Sequence, residues 1–203
     1  MRCLIHGLSE PEQVALLEDL NYLNMGELKA FCNKHAIPYS IWIETTEGVR
    51  RKTRDDDRKG VILDRIRHYL RTGEILQATC FPANVVCLDK PAKTIKPTDR
   101  LFYGQYDKAS AAMIGLLEKL TDGQFKNGAI ARILAREFWN KGIAPTFQDY
   151  AAAWLLAREN HQRPNPEWAF LSDRARHENT SNWKQLRAMK AKHVLTILDS
   201  LCQ

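Results

Sequence analysis

Val61, Ile62, Ile66, Tyr69 and Leu70 recur at the three- and four-residue spacing of a single helix face. Gly73 stands just past the last of them, where a left-handed residue closes a helix at no steric cost. Asp55, Asp56 and Asp57 come just before the stripe, and carboxylates there cap free N–H groups and oppose the macrodipole. A helix over 57–72 follows, with Arg65, Arg67 and Arg71 on the rest of its surface. A chain that commits this segment to a buried helix must supply further apolar faces to cover it.

It does so repeatedly. Ser9 and Glu12 form a capping-box pattern ahead of Val14, Leu16, Leu17 and Leu20, predicting a helix over about 10–21. Asn24 caps a second, with Met25, Leu28, Phe31 and Cys32 on one face, and Pro38 ends it. Ile41, Trp42 and Ile43 are β-prone, Glu47-Gly48 supplies a turn, and Val49 to Thr53 can return as the second arm of a short hairpin. Pro82, Pro91 and Pro97 then break up residues 74–105, where Val85-Val86-Cys87-Leu88 is the one strand-like run.

The helical pattern resumes at Asp107, a candidate N-cap for a helix through Leu120, with Gly123 beyond it. A second runs from Phe125 to Lys141 before Gly142. A third follows Thr146 and carries Phe147, Tyr150, Trp154 and Leu155. A fourth lies between Pro164 and about Arg176. The last starts at Ser181, with Trp183, Leu186, Met189, Val194, Ile197, Leu198 and Leu201. The expected fold class is therefore mainly α. Residues 1–74 form a helical module with an insert, 75–105 an irregular linker, and 106–203 a C-terminal helical bundle.

No run approaches the ~18 apolar residues of a membrane span, and Met1 to Pro11 lacks the apolar core of a secretory signal. Five cysteines, none two residues from another, read as free thiols in a reducing compartment: cytoplasm, nucleoid or nucleus. The net charge of +6 favours anionic partners and places weight on where the cations fall.

They concentrate in the insert. Between Arg50 and Lys59 stand Arg50, Arg51, Lys52, Arg54, Arg58 and Lys59 against the three aspartates. Arginines on an exposed arm form paired hydrogen bonds to phosphates. Trp42 and Tyr39 offer stacking surfaces for unpaired bases. The alternative is a solvated loop whose arginines pair with the aspartates and whose tryptophan anchors a core. For the aspartates themselves, helix capping outweighs a metal site, because three adjacent carboxylates do not converge on one ion without a turn and further ligands.

Glu27-Leu28-Lys29, Ile37-Pro38-Tyr39-Ser40, and Arg58-Lys59 with Ile62-Leu63 and Arg65 together resemble a SAP domain, a small helix–extended loop–helix module of nucleic-acid-processing proteins. The resemblance covers residues 20–70, about a quarter of the chain. It implies DNA binding through the start of the second helix, and so implicates Lys29, Lys34, Arg58, Lys59 and Arg65. The family's helices are joined by a short loop, whereas Ile41 to Asp56 intervene here.

The remaining features weigh less. Lys184, Arg187 and Lys190 share a helix face, either a second basic surface or the wet side of an amphipathic helix. The helices around Gly142-Ile-Ala-Pro145 invite a helix-turn-helix reading, but Phe147 to Leu156 is too apolar for a recognition helix. Trp139, Trp154, Trp168 and Trp183 read as core, or as a groove for a protein partner. No Gly-rich phosphate loop, nucleophile elbow or His-Glu-x-x-His motif is present, and six scattered histidines form no recognisable site. The expectation is a non-enzymatic nucleic-acid binder, of DNA more than RNA, with no cofactor or metal. Its alternative is a helical protein-interaction module.

Overall fold

The computed structural model describes residues 4–107, 109–160 and 180–201. Seven α-helices and three short strands stand among them, so the chain is mainly helical. It divides into two compact units whose boundaries interleave along the sequence.

The first unit draws on Met1–Ser40, Asp55–Ala78 and the C-terminal region. Helix α1 (Glu10–Asp19) opens on the expected reciprocal cap, with Ser9 N–H donating to Glu12 Oε2 at 2.9 Å. A 3-10 turn, Leu20–Tyr22, leads into α2 (Met25–Lys34). There Glu27 N–H donates to Asn24 Oδ1 at 2.9 Å and Asn24 N–H to Glu27 Oε2 at 2.7 Å. Helix α3 (Lys59–Thr72) ends at Gly73, which adopts φ +73°. These helices bury Leu16, Leu20, Leu28, Phe31, Cys32, Ile62, Leu63, Ile66 and Leu70 in one core.

That core also takes Ala191, Val194 and Leu198 from α7 (Thr180–Leu201), and α7 packs against α1 and the turn after it. This corrects the expected bundle over 106–203: its last helix completes the N-terminal core instead. The apolar stripe was read correctly as a buried face, but sequence carries no address for which core a face will join. The helix expected between Pro164 and about Arg176, Trp168, and the side chain of Trp183 lie outside the described residues.

The second unit joins Ile41–Arg54 to Thr79–Arg163. Strand β1 (Ser40–Glu44) lies between β2 (Arg50–Asp56) and β3 (Cys80–Phe81), giving the order β2-β1-β3. The expected hairpin is present. Thr45 N–H donates to Val49 O, Gly48 N–H to Thr45 O, and Gly48 takes φ +74° at the turn. Strand β3 runs parallel to β1, with Trp42 beside Cys80 and Ile43 beside Phe81.

Ile41, Ile43 and Phe81 pack into a core with helices α4 (Ala111–Leu120), α5 (Ala129–Asn140) and α6 (Phe147–Asn160). Tyr150 and Trp154 are buried there, with Tyr150 O–H donating to Ala131 O at 2.6 Å. Helix α4 is capped by Ser110 rather than Asp107, and α6 by Thr146 as expected, with Asp149 N–H donating to its hydroxyl.

Residues 75–105 are not a linker. They supply Phe81, Val85 and Leu101 to this second core, and Trp139 Nε1 donates to Leu101 O at 2.9 Å. The named strand falls at 80–81; the run 85–88 follows a 3-10 turn, Ala83–Val85, and pairs only through an isolated parallel bridge between Val86 and Tyr103. Frequent prolines made the segment irregular without removing it from the interior.

Candidate nucleic-acid interface

The nine candidate residues separate into two groups, one tied into the first unit and one standing clear on a strand of the second. Arg65 was expected on the surface of α3 but is buried. Its guanidinium donates to Asp57 Oδ2 at 2.6 Å and to Pro38 O at 2.9 Å. A carboxylate and a carbonyl together satisfy a charge that would otherwise be expensive to bury.

Lys59, at the start of α3, donates to Asn21 O at 2.5 Å. Burial pushes its ammonium down to about 8; the neighbouring Arg187 adds to the fall and Glu27 opposes it. Lys29 is ion-paired with Asp56 and lies 5.5 Å from the Tyr39 ring centroid. That hydrogen bond to Asp56 holds the Lys29 ammonium above its ordinary value, against partial desolvation. Lys34 is exposed and reaches Asp199 at 3.3 Å, and Arg58 is half-buried at the N-cap of α3.

The aspartate triplet is therefore not a helix cap. The chain remains extended through Asp56, and the first turn of α3 contains no acid. Asp57 pairs with Arg65 instead, its own N–H donating to Tyr39 O at 2.7 Å, while Asp56 accepts from Lys29 and, at 3.4 Å, from the Ser40 hydroxyl. Among the described residues no group of three or more His, Cys, Asp and Glu side chains could hold a metal ion.

Arg50, Arg51, Lys52 and Arg54 differ from all of these. They lie on β2, the outer strand of the sheet, and all four are exposed. Among the described residues none of the four side chains makes a hydrogen bond or ion pair. The aspartates that might have neutralised them include Asp56 and Asp57, both engaged with cations of α2 and α3.

The hairpin also fixes which residues share a face. Thr45 pairs with Val49, and the Thr53 hydroxyl donates to Ile41 O at 2.8 Å, so the register sets Lys52 opposite Trp42 and Arg50 opposite Glu44. Ile41 and Ile43 face the core; Trp42 and Glu44 take the other side. Cys80 sits beside Trp42 from β3. Its thiol is raised by burial, lowered by Arg50 and raised by Glu44, as a thiol near that pair should be. Sequence offered no sign of Cys80 at this site, because parallel pairing with a strand some forty residues on is non-local.

Other basic and aromatic candidates are engaged elsewhere. Arg187 pairs with Glu27 and donates to Tyr22 O at 2.9 Å, and Lys190 reaches Asp19 at 2.7 Å, so these two cations dock α7. Trp139 and Trp154 are buried in the second core, and α6 buries Phe147, Tyr150 and Ala151 as a core helix. Among the described residues no helix is long and apolar enough to cross a membrane. No protein-family model, curated protein or solved structure matches the chain.

Proposed function

We propose that the chain binds nucleic acid through the outer strand β2, with Arg50, Arg51, Lys52 and Arg54 contacting phosphates. One observation carries this reading: four cations within five residues of one edge strand are exposed and make no bond to any described residue. The other basic candidates serve the fold to different degrees, Arg65 and Lys59 most. A strand edge that keeps its guanidiniums unpaired has donors ready for bidentate contact with phosphate oxygens. The resemblance of residues 20–70 to a SAP domain leads toward DNA as the ligand. The function is binding without catalysis.

Charged edge strands also prevent edge-to-edge association of sheets. The two roles separate experimentally. Replacing Arg50, Arg51 and Lys52 together with glutamate keeps the edge charged but reverses its sign. The binding role expects loss of a low-salt gel shift on DNA with the protein still monodisperse. Retained binding in that variant would remove the strand from the mechanism.

A further inference from the structure

We infer that the ligand of this face is single-stranded, with the Trp42 indole stacking on an unpaired base while Lys52 and Arg54 hold the adjoining backbone. This rests on the nucleic-acid reading above and narrows it.

Trp42 belongs to neither hydrophobic core, although Ile41 and Ile43 on either side of it are both buried. Large rings usually account for much of a buried core, and Trp139 and Trp154 do so here. Trp42 stays half-buried on the opposite face of the sheet, where its indole makes no ring contact and no side-chain hydrogen bond among the described residues. Its backbone is held firmly, since its N–H donates to Thr79 O at 2.8 Å between two flanking strands. A rigidly mounted ring that stays partly exposed outside both cores is suited to stacking on a ligand.

Its neighbours set the chemistry. Lys52 is the cross-strand partner of Trp42, with Cβ atoms about 5 Å apart for such pairs. Arg54 lies two residues further, about 7 Å along the strand. Glu44 is on the same face opposite Arg50, so the backbone path that avoids like charge runs from Lys52 toward Arg54. Cys80 is the neighbour of Trp42 on the other flanking strand. In a duplex each base is covered by its neighbours on both faces, which leaves phosphates and groove edges but no free π-face. An unpaired base offers its π-face as well, and every base has one.

The test compares a labelled 20-nucleotide oligo-dT with a 20-base-pair duplex of mixed sequence, using the full chain. The wild type should favour the single strand. Trp42→Leu should weaken its binding about tenfold, with duplex affinity unchanged, and Trp42→Phe should restore most of the loss. Equal loss on both ligands, or none, overturns the inference while leaving phosphate binding intact. If the wild type binds neither ligand, the underlying reading fails with it. A second measurement needs no variant: an oligonucleotide carrying 5-iodouracil, irradiated on the wild type, should form its adduct on the peptide containing Trp42. Adducts confined to other peptides would overturn the assignment.

Discussion

Arg65 and Asp57 meet at 2.6 Å, with side chains 6% and 5% exposed, and so form a buried ion pair that ties the start of α3 to its second turn. The pair also reaches α2's exit, because Arg65 donates to Pro38 O and Asp57 N–H to Tyr39 O. Removing one partner strands the other charge in the interior. Asp57→Leu or Arg65→Met should each cost about 3–5 kcal/mol in urea unfolding. The double replacement Asp57→Leu with Arg65→Met should cost clearly less than the sum of the two single changes. Additive losses would mean the two groups do not act as a pair.

What the sequence conveyed and what it did not divides along the same line. Features set by neighbours in the chain were legible: the Ser9–Glu12 box, the Asn24 and Thr146 caps, the hairpin turn at Gly48, the Gly73 terminus. Each needs only a few consecutive residues. Arg65 was misread because its partner and its burial come from α2's exit and β2's end, brought together only by the fold. The aspartates were misread as a cap for the same reason. The interleaved units were invisible because an apolar helix face is the same in sequence whichever core it enters, and α7 enters the N-terminal one. The basic strand was identified from its residues, and the structure sorted its cations from those spent on folding.

His35 packs against Phe31 at 4.4 Å and Tyr69 at 5.4 Å between ring centroids, and its Nδ1 lies 3.3 Å from the Tyr69 hydroxyl. Burial, then the Lys34 charge, lowers its pKa below the ordinary 6.5. The unfolded chain therefore binds the proton first as pH falls. The stability associated with neutral His35 is fully present above pH 6.5 and declines below it until the folded pKa is passed. Chemical denaturation at pH 7.5 and pH 5 should show the wild type losing more stability than His35→Gln over that interval. Parallel losses would contradict this.

Gly104 adopts φ +94°, and a Cβ there would lie 2.4 Å from the carbonyl oxygen of Cys87. The approach is enforced by the bonds from Cys87 N–H to Tyr103 O and from Tyr103 N–H to Val85 O, each 2.9 Å. Gly104→Ala should therefore destabilise the second unit by at least about 1–3 kcal/mol, the usual cost of strained backbone. Gly128, with open space around it, should accept alanine without a comparable steric penalty. Thermal melts of the two variants check the contrast.

The exposed cations of β2 should be nearly irrelevant to folding. Replacing Arg50, Arg51, Lys52 and Arg54 with glutamine should shift stability by no more than about 0.5 kcal/mol per site, the normal range for surface positions. A large loss in urea unfolding would show that these side chains serve the fold after all.

Phosphate contact by β2 is read out by the salt dependence of oligonucleotide binding. Each phosphate neutralised contributes a slope of about −0.7 for single strands in log K against log salt. With three or four cations engaged, the wild type should show a slope of about −2 to −3, and the four-glutamine variant a slope near zero with affinity largely gone. A wild-type slope that the four substitutions leave unchanged would contradict the assignment of this strand to nucleic-acid binding.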